Sequence, residues 1–426
     1  MEKLYSFFLE HPQVQTDSRA LQKGELFFAL RGPNFNGNNY AKAALENGAA
    51  GVVIDEPIGI DGDNIFLVED VLQTLQELAL HHRKQFNIPV IAITGSNGKT
   101  TTKELIHAVL SSTYRTYTTK GNLNNHIGIP LTLLSIKKDA EMAIIEMGAN
   151  HQKEIESYCK YVLPTHALIN NCGKAHLEGF GGIMGVRKGK GELYDFIATS
   201  DGIAFVNSDL DYLMDMSAPI KQKIYYGNHL GSFKTSIVQN DPLLVLEISN
   251  SSIHHQKIFT RLVGAYNIPN AEAAICIGDY FKIPFDTIRN AIESYIPSNA
   301  RSQLIEKGSN SIIMDAYNAN PSSMQASLEN FSKQKIPHKI VLLGGMMELG
   351  EDSVKEHQEI VHLLKSLHFN HVVLVGGDFE KVEHPFLFFK TSEAASEWLK
   401  LHLPKNSTLL IKGSRSMKME KLLEVL

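Results

Sequence analysis

With 426 residues, 43% of them hydrophobic and 20% charged, the chain is long enough for about three domains with sizeable cores. Its 41 basic against 46 acidic residues give a net charge of −5, which argues against a nucleic-acid-binding surface but leaves room for a local pocket for a polyanionic small molecule. Cys159, Cys172 and Cys276 show neither paired spacing nor a zinc pattern, the Met1–Leu4 opening lacks a signal peptide's apolar stretch, and no run approaches the ~18 apolar residues of a membrane span, so a cytoplasmic protein without membrane insertion is expected.

In chain order, residues 1–84 read as a small α/β unit. Glu25–Leu30 and Gly51–Ile54 have strand character, Tyr40–Asn47 is an alanine-rich helix stopped by Gly48, and Val71–Phe86 carries helical periodicity. The polar loop between Leu30 and Tyr40 is rich in turn residues and reads either as a surface turn or as a ligand-contacting loop. Residues 85–297 alternate strand and helix, which predicts a mostly parallel sheet with helices on its faces. Its apolar strands are Val90–Thr94, Ala143–Ile145, Ala167–Ile169 and Ile203–Val206. Lys223–Val263 breaks that rhythm with short strands and turn residues, predicting an antiparallel insert, before a helix over Pro269–Tyr280. Residues 298–426 resume the alternation, with strands at Ile312–Met314, Ile340–Leu343, Val372–Val375 and Leu409–Ile411. That reads as a Rossmann-like α/β domain, but no Gly-x-Gly-x-x-Gly follows its strands, so a dinucleotide cofactor is disfavoured.

The chemistry centres on Val90–Thr94 followed by Gly95-Ser96-Asn97-Gly98-Lys99-Thr100-Thr101-Thr102 and then a helical stretch over Lys103–Leu110. Strand, glycine turn and helix is the order that a phosphate-binding loop requires. Small residues let backbone N–H groups crowd around phosphate oxygens, the helix N-terminus supplies its positive dipole end, and Lys99 adds a full charge. Thr100 directly after the lysine is suited to Mg²⁺. The usual longer motif would put glycine where Ile93 stands, so this loop is a shortened form.

Glu146 closes the next strand, and His176 lies just past a third, in the region where open α/β sheets bind ligands. An acid at the first position is the natural second ligand for Mg²⁺ held by Thr100. The alternatives are that Glu146 is a solvated strand end and His176 a surface or structural one of 18 histidines, while Lys190 with its basic neighbours reads by itself as a solvated helix end. Asparagines gather in Gly121–Pro130, in Gly264–Ala271 and in Asp315–Pro321. Amides both donate and accept, so they suit bases, sugars and peptide groups, though singly each is equally a cap or an Asx-turn.

Taken together, and in this order along essentially the whole chain, these motifs resemble the Mur ligase family of bacterial cell-wall synthesis. Thr94–Thr101 is similar to its ATP signature. Asn122–Asn125 with Ile127–Pro130, Glu146–Ala149, Ala175–Glu178, Asp315–Pro321 and Lys412–Arg415 resemble the branch that adds D-alanyl-D-alanine, and the Asp-Asn-Pro-Arg motif of the diamino-acid-adding branch does not occur. The resemblance implies three α/β domains: residues 1–84 for a UDP-sugar, 85–297 for ATP and 298–426 as a Rossmann-like ligase domain. It implies ATP-driven ligation of D-alanyl-D-alanine to UDP-N-acetylmuramoyl-tripeptide by a monomer, through an acyl phosphate. It gives the ATP phosphates to Lys99 and the amides of Gly95, Ser96, Asn97, Gly98, Thr100 and Thr101. Asn267 and Asn270 would lie by the adenine, with Arg301, Asp315 and Asn318 also on the nucleotide. Two Mg²⁺ would be held by Thr100, Glu146, His176 and Lys190, the lysine as a CO₂-derived carbamate because an ammonium cannot ligate a cation. Lys99, Glu146, His176 and Lys190 would be catalytic, while Ser18, Arg19, Asn124 and Asn125 would hold substrate.

Four positions depart from the family pattern: Tyr266 stands for a usual His, Asn36 and Asn38 for an Asp and a His, and Met346 for an Asp. They bear on substrate-side detail rather than on phosphate or metal residues. The competing readings are another ATP-dependent amide ligase of this fold, diamino-acid-adding or folylpolyglutamate-type, and a nucleotide-switch or motor ATPase.

Overall fold

A computed structural model describes every residue except Ile58, Ile60 and Pro337. The chain divides into two compact units: Met1–Ile93 with Tyr114–Ala149 and Lys153–Ala167, and Thr94–Thr113 with Asn150–Gln152 and Leu168–Leu426.

In the first unit, Val14–Gln15, Leu26–Phe28, Gly51–Ile54 and Ile65–Leu67 form a parallel sheet in that order. Its buried strands run as continuous apolar stretches, as strands covered on both faces do, with Phe27, Val52 and Ile54 packing on Ala41 and Ala44 of the alanine-rich helix. The helix over Val71–Arg83 starts at Asp70, whose carboxylate caps the N–H of Gln73 at 2.7 Å. It ends three residues before the periodicity suggests, where buried Arg83 turns its guanidinium onto the carbonyls of Val162 (2.9 Å) and Phe86 (2.7 Å). Val90–Thr94 pairs in parallel with Met142–Glu146, which pairs in parallel with Thr116–Thr118. Glu146 is the last residue of its strand, as the sequence predicts.

In the second unit, the helix after the glycine loop runs over Lys99–Ser111, four residues earlier than the helical stretch read from Lys103. The left-handed Gly98 (φ 81°) turns the chain so that Lys99 is already helical. That helix packs on Ile268–Tyr280. The antiparallel insert is present but starts later than Lys223. Gln222–Tyr226 pairs in parallel with Ile203–Asn207 and so continues the parallel arrangement, and only Lys234–Asn240, Leu243–Ser249 and Gln256–Val263 form the antiparallel three-stranded sheet. The charged and aromatic mix in Gln222–Tyr226 looks like a half-exposed antiparallel strand, which is why the boundary reads wrongly from sequence.

The C-terminal sheet has six strands in the order Gln303–Lys307, Asn310–Asp315, Thr408–Lys412, Lys339–Gly344, His371–Val375 and Leu387–Phe389. All neighbours are parallel except the first pair, an antiparallel edge that the sequence reading omits. Ile312, Met314, Leu342, Val373, Leu409 and Ile411 build the core on one face with Ala395 and Leu399 of the helix Ser392–Leu401. Among the described residues no helix is long and apolar enough to cross a membrane.

One buried acid lies within this framework. Glu272, on the helix Ile268–Tyr280, is 7% exposed and faces a small recess lined by Tyr225, Tyr226, Phe233, Thr235 and Cys276. Burial pushes its carboxyl up to about 7, aided by the charge of Asp209 and opposed by a hydrogen bond with Thr235. The fold therefore favours the protonated form. The stability that this contributes is complete below the ordinary carboxylate value of 4.5 and is lost as pH rises through about 7. Glu272→Gln should leave stability at pH 5 nearly unchanged and raise it at pH 8 by on the order of 2 kcal/mol. Urea denaturation at the two pH values checks this, and an equal effect at both would contradict it.

Candidate functional site

The phosphate-type loop is built on two glycines. Gly95 (φ 152°) and Gly98 (φ 81°) both adopt backbone conformations that side chains resist. A Cβ on Gly95 would lie 2.8 Å from Cβ of Asn170, and one on Gly98 would lie 2.6 Å from Oδ1 of Asn270. The loop is held from outside by the strand-end asparagines. The Ser96 N–H donates to the carbonyl of Asn171 (2.9 Å), the Asn97 N–H to Oδ1 of Asn171 (3.0 Å), and Nδ2 of Asn171 returns a bond to the Asn97 carbonyl (3.1 Å). Lys99 folds its ammonium onto the carbonyl of Gly95 at 2.7 Å, keeping the charge over the loop. Thr100 is buried at the first helical turn and Thr101 is half-buried.

Asn97 also accepts from Nδ2 of Asn320 (2.7 Å), whose own Oδ1 caps the helix Pro321–Lys333 by accepting from the Ser323 N–H (2.9 Å). One asparagine thus starts a helix and reaches the loop. His176, left-handed at φ 51°, brings Nδ1 to 2.5 Å from Oε2 of Glu348, itself left-handed at φ 61°. The contact, an ion pair only when the imidazole is protonated, holds the Glu348 carboxyl below its usual range. Lys174, two residues before, pairs with Glu356 at 2.5 Å. Lys190, on the helix Ile183–Thr199, is wholly buried, with Nζ 5.1 Å above the ring of Phe180.

Around Asp315 the structure gathers a second cluster. One carboxylate oxygen accepts from the Ser302 N–H (3.1 Å), the other from Ser327 Oγ (3.1 Å) and from Lys412 Nζ (2.6 Å). Arg301 stacks its guanidinium 3.6 Å from the ring centre of Tyr317, and Asn318 bonds the next residue's N–H at 2.9 Å. Tyr266, in place of the family's usual His, bonds Ser302 Oγ at 2.9 Å. Asn267 and Asn270 lie buried behind the loop, bonded to each other at 2.8 Å.

Within the first unit, Nδ2 of Asn124 donates to Oε1 of Glu146 at 2.8 Å, and the Glu146 N–H donates to Thr119 Oγ1 at 3.0 Å. The carboxylate is 1% exposed. Asn125 instead accepts from the N–H groups of Gly128 (2.9 Å) and Ile127 (3.1 Å), which starts the helix Gly128–Leu134. Arg19 is exposed and doubly bonded to Asp17 (2.9 and 2.7 Å), which pulls that carboxyl down to about 2. Ser18 lies in the same turn. Asn36 and Asn38 satisfy one another and their surroundings: Nδ2 of Asn38 reaches Asn36 Oδ1 (2.8 Å) and Asp55 (2.6 Å), and Asn36 reaches Glu56 (2.9 Å).

Asn170, Asn171, Asn320, Glu348 and Lys412 carry much of this geometry; the sequence marks Asn320 and Lys412 only as members of motifs and gives none of the five a role. Their shared signal is position: all five lie at a strand's C-terminal end or within five residues after it.

The chain matches the Mur ligase catalytic domain over residues 12–93, the Mur ligase middle domain over 93–278 and the Mur ligase glutamate ligase domain over 300–415. It is 32% identical to the UDP-N-acetylmuramoyl-tripeptide–D-alanyl-D-alanine ligase of Bacillus subtilis, over 96% of this chain and 92% of that one. The chain belongs to the Mur ligase family. The crystal structure of MurF from Acinetobacter baumannii superposes with a TM-score of 0.88 at 30% identity, covering 99% of this chain and 97% of that one. MurF ligase from Thermotoga maritima, solved in complex with ADP, gives a TM-score of 0.86 at 27% identity, covering 98% and 97%. The Mur ligase architecture of N-terminal, central ATPase and C-terminal domains, each with parallel strands, is therefore that of this chain.

The Asp315–Lys412 pair has a testable consequence, since Lys412 is 3% exposed in its side chain and Asp315 15%. Lys412→Met leaves a buried carboxylate without its cation and should cost about 3 kcal/mol. Adding Asp315→Asn should recover part of that loss, and strict additivity in denaturation experiments would show the pair to be uncoupled.

Proposed function

We propose that this Mur ligase joins D-alanyl-D-alanine to the terminal carboxylate of UDP-N-acetylmuramoyl-tripeptide, consuming ATP and releasing ADP and phosphate. The observation that carries this reading is likeness to relatives named for that reaction over 96% of the chain. The ADP held by the Thermotoga neighbour supports ATP as the phosphoryl donor. Folylpolyglutamate synthase, at 14% identity, shares the fold alone.

A carboxylate resists attack by an amine because it is anionic and has no usable leaving group. Transfer of the γ-phosphoryl to a carboxylate oxygen breaks the bond from phosphorus to the β–γ bridging oxygen, releases ADP and leaves an acyl phosphate. The free amine of D-alanyl-D-alanine then attacks the acyl carbon. The tetrahedral intermediate collapses to the amide, expelling phosphate and losing the amine proton. Lys99, which caps its own loop at the Gly95 carbonyl, has the reach to turn its ammonium to phosphate oxygens instead. The loop amides, Arg301, Asp315, Asn318 and the Asn267–Asn270 pair make up the ATP side, the N–H groups of Ser96 and Asn97 joining it only by exchanging their Asn171 acceptors for phosphate. Ser18, Arg19, Asn124 and Asn125 make up the substrate side, with residues 1–84, 85–297 and 298–426 as the three functional divisions. Arg19 must exchange Asp17 for its ligand. We assign the reaction to a cytoplasmic monomer.

The donor set fits Mg²⁺. Mg²⁺ takes oxygen ligands, and the Thr100 hydroxyl and the Glu146 carboxylate, both buried, are of that class, although among the described residues no cluster of three or more His, Cys, Asp and Glu could hold a metal. Thr100, Glu146, His176 and Lys190 would hold it, and Asn124 orients the Glu146 carboxylate. When bound, Mg²⁺ neutralises charge on the transferring phosphoryl. Lys190 joins the set only after its neutral amine adds CO₂, losing a proton to give an anionic carbamate. Its complete burial keeps such a group from solvent.

ADP formation should require ATP, the UDP-muramoyl peptide and D-alanyl-D-alanine together. Phosphate release in the absence of both of the latter would support an ATPase instead. Lys190→Arg keeps the charge but blocks carbamylation, so ligation should fall on the order of a hundredfold or more while ATP still binds, and near-normal turnover would refute the carbamate.

A further inference from the structure

Behind the phosphate loop runs a buried polar relay. Asn170 Nδ2 donates to Thr102 Oγ1 (2.5 Å) and to Asn270 Oδ1 (3.2 Å), and Thr102 Oγ1 donates to the same Asn270 oxygen (2.9 Å). Asn270 Nδ2 donates to Asn267 Oδ1 (2.8 Å), and Asn267 Nδ2 to the Val263 carbonyl (2.8 Å). Thr102 is 0% exposed and the three asparagines 4–5%. Each bond has a definite direction, and the Asn270 oxygen accepts two of them. The relay links the helix after the loop, the residue following the strand His166–Ile169, and the helix Ile268–Tyr280. It also touches the loop at its two constrained points, since Asn270 Oδ1 and Asn170 Cβ occupy the space that side chains at Gly98 and Gly95 would need.

We propose that Thr102, Asn170 and Asn270 are positioning residues that fix the phosphate loop, and that Asn270 serves the phosphates of the nucleotide rather than its base. This rests on the reading that the loop binds ATP. Asn170 Oδ1 has no partner among the described residues, but the oxygens of Asn270 and Asn267 are both engaged within the relay and so have little left for an adenine edge, whereas shifting any member moves the surface against which Gly95 and Gly98 turn. A base contact and a loop support differ in what they discriminate. A base contact separates adenine from guanine nucleotides and is silent towards a bare polyphosphate. A loop support acts on every ligand with a polyphosphate chain, equally.

The test measures binding of MgATP, MgGTP and inorganic tripolyphosphate to the full-length protein by calorimetry, for wild type, Thr102→Val, Thr102→Ser and Asn270→Ala, with thermal melts as a control for folding. Thr102→Val removes one buried hydroxyl and should weaken all three ligands by a common factor of about ten, leaving the ATP-to-GTP ratio within about twofold of wild type. Thr102→Ser restores the hydroxyl and should restore all three. Asn270→Ala should behave like Thr102→Val. Loss of ATP affinity in Asn270→Ala with unchanged tripolyphosphate binding would overturn the proposal in favour of a base contact. Unchanged affinities in Thr102→Val would overturn it as well. Wild-type protein that binds neither ATP nor tripolyphosphate would remove the phosphate-loop reading and the relay's role together, so the two failures are distinguishable.

Discussion

A loop that presents several N–H groups to one anion must point them the same way, and only a backbone with unusual torsions does that. In this chain the requirement falls on Gly95 and Gly98, and it propagates outward. The glycines need no side-chain room of their own because asparagines already fill it: Asn170 behind one, Asn270 behind the other. A buried polar group without a partner costs about 1–3 kcal/mol, and, while Asn170 Oδ1 stays unpartnered among the described residues, Thr102 supplies a partner to Asn170 Nδ2 and to Asn270 Oδ1. Hence Thr102, a hydroxyl one turn into the helix, where an apolar residue would otherwise pack. The polar core of the ATP-binding unit follows from the torsions of two residues.

Buried cations follow a similar logic on a larger scale. Lys412 is placed at the end of a central strand and is tolerated there because Asp315 lies 2.6 Å away on the neighbouring strand, in register with it. The same carboxylate also takes hydrogen bonds from Ser302 and Ser327, so its lone pairs are filled from three directions. Isolated, such a pair contributes little net stability, because desolvation offsets attraction. It does fix where strand ends and loops may lie, and Arg301 and Tyr317 stack immediately beside it. The left-handed His176 and Glu348 make a related arrangement, two side-chain-bearing residues in a backbone region that disfavours them, their side chains in contact at 2.5 Å.

Most of the fold is legible in the sequence because its strands are buried on both faces and read as uninterrupted apolar runs: Val90–Thr94, Gly51–Ile54 and His371–Val375 need no partner to be recognised. Gln303–Lys307 and Gln222–Tyr226 escaped or were misassigned for the complementary reason. Each is half exposed and mixes charged with apolar residues, so only pairing reveals its direction. Of the site, residue types that carry a charge or a glycine could be found by motif and strand position, as Lys99 and Glu146 were. Asn170, Asn171 and Asn320 could not. An asparagine after a strand is ordinarily a turn residue, and its role here depends on partners about 70 to 220 residues away along the chain.

The departures from the family pattern can be weighed on the same physical ground. Where an Asp and a His are usual, Asn36 and Asn38 form a neutral pair. The structure shows that the charge has not vanished from the loop. Asp55 and Glu56 lie against it, Asn38 bridges to Asp55 at 2.6 Å, and Arg31 pairs with both acids at 2.8 and 3.0 Å. Asn38 Oδ1 further accepts from the N–H groups of Asp55 and Glu56 (3.1 and 3.3 Å), so one buried amide fastens the 31–40 loop to the strand end that carries both acids. A histidine at 38 could not both donate to the carboxylate and accept two N–H groups in that geometry, because its ring presents one acceptor at most. The substitution therefore belongs with Asp55 and Glu56 as a unit, a loop whose shape is set by amides and whose charge is borne by the neighbouring strand.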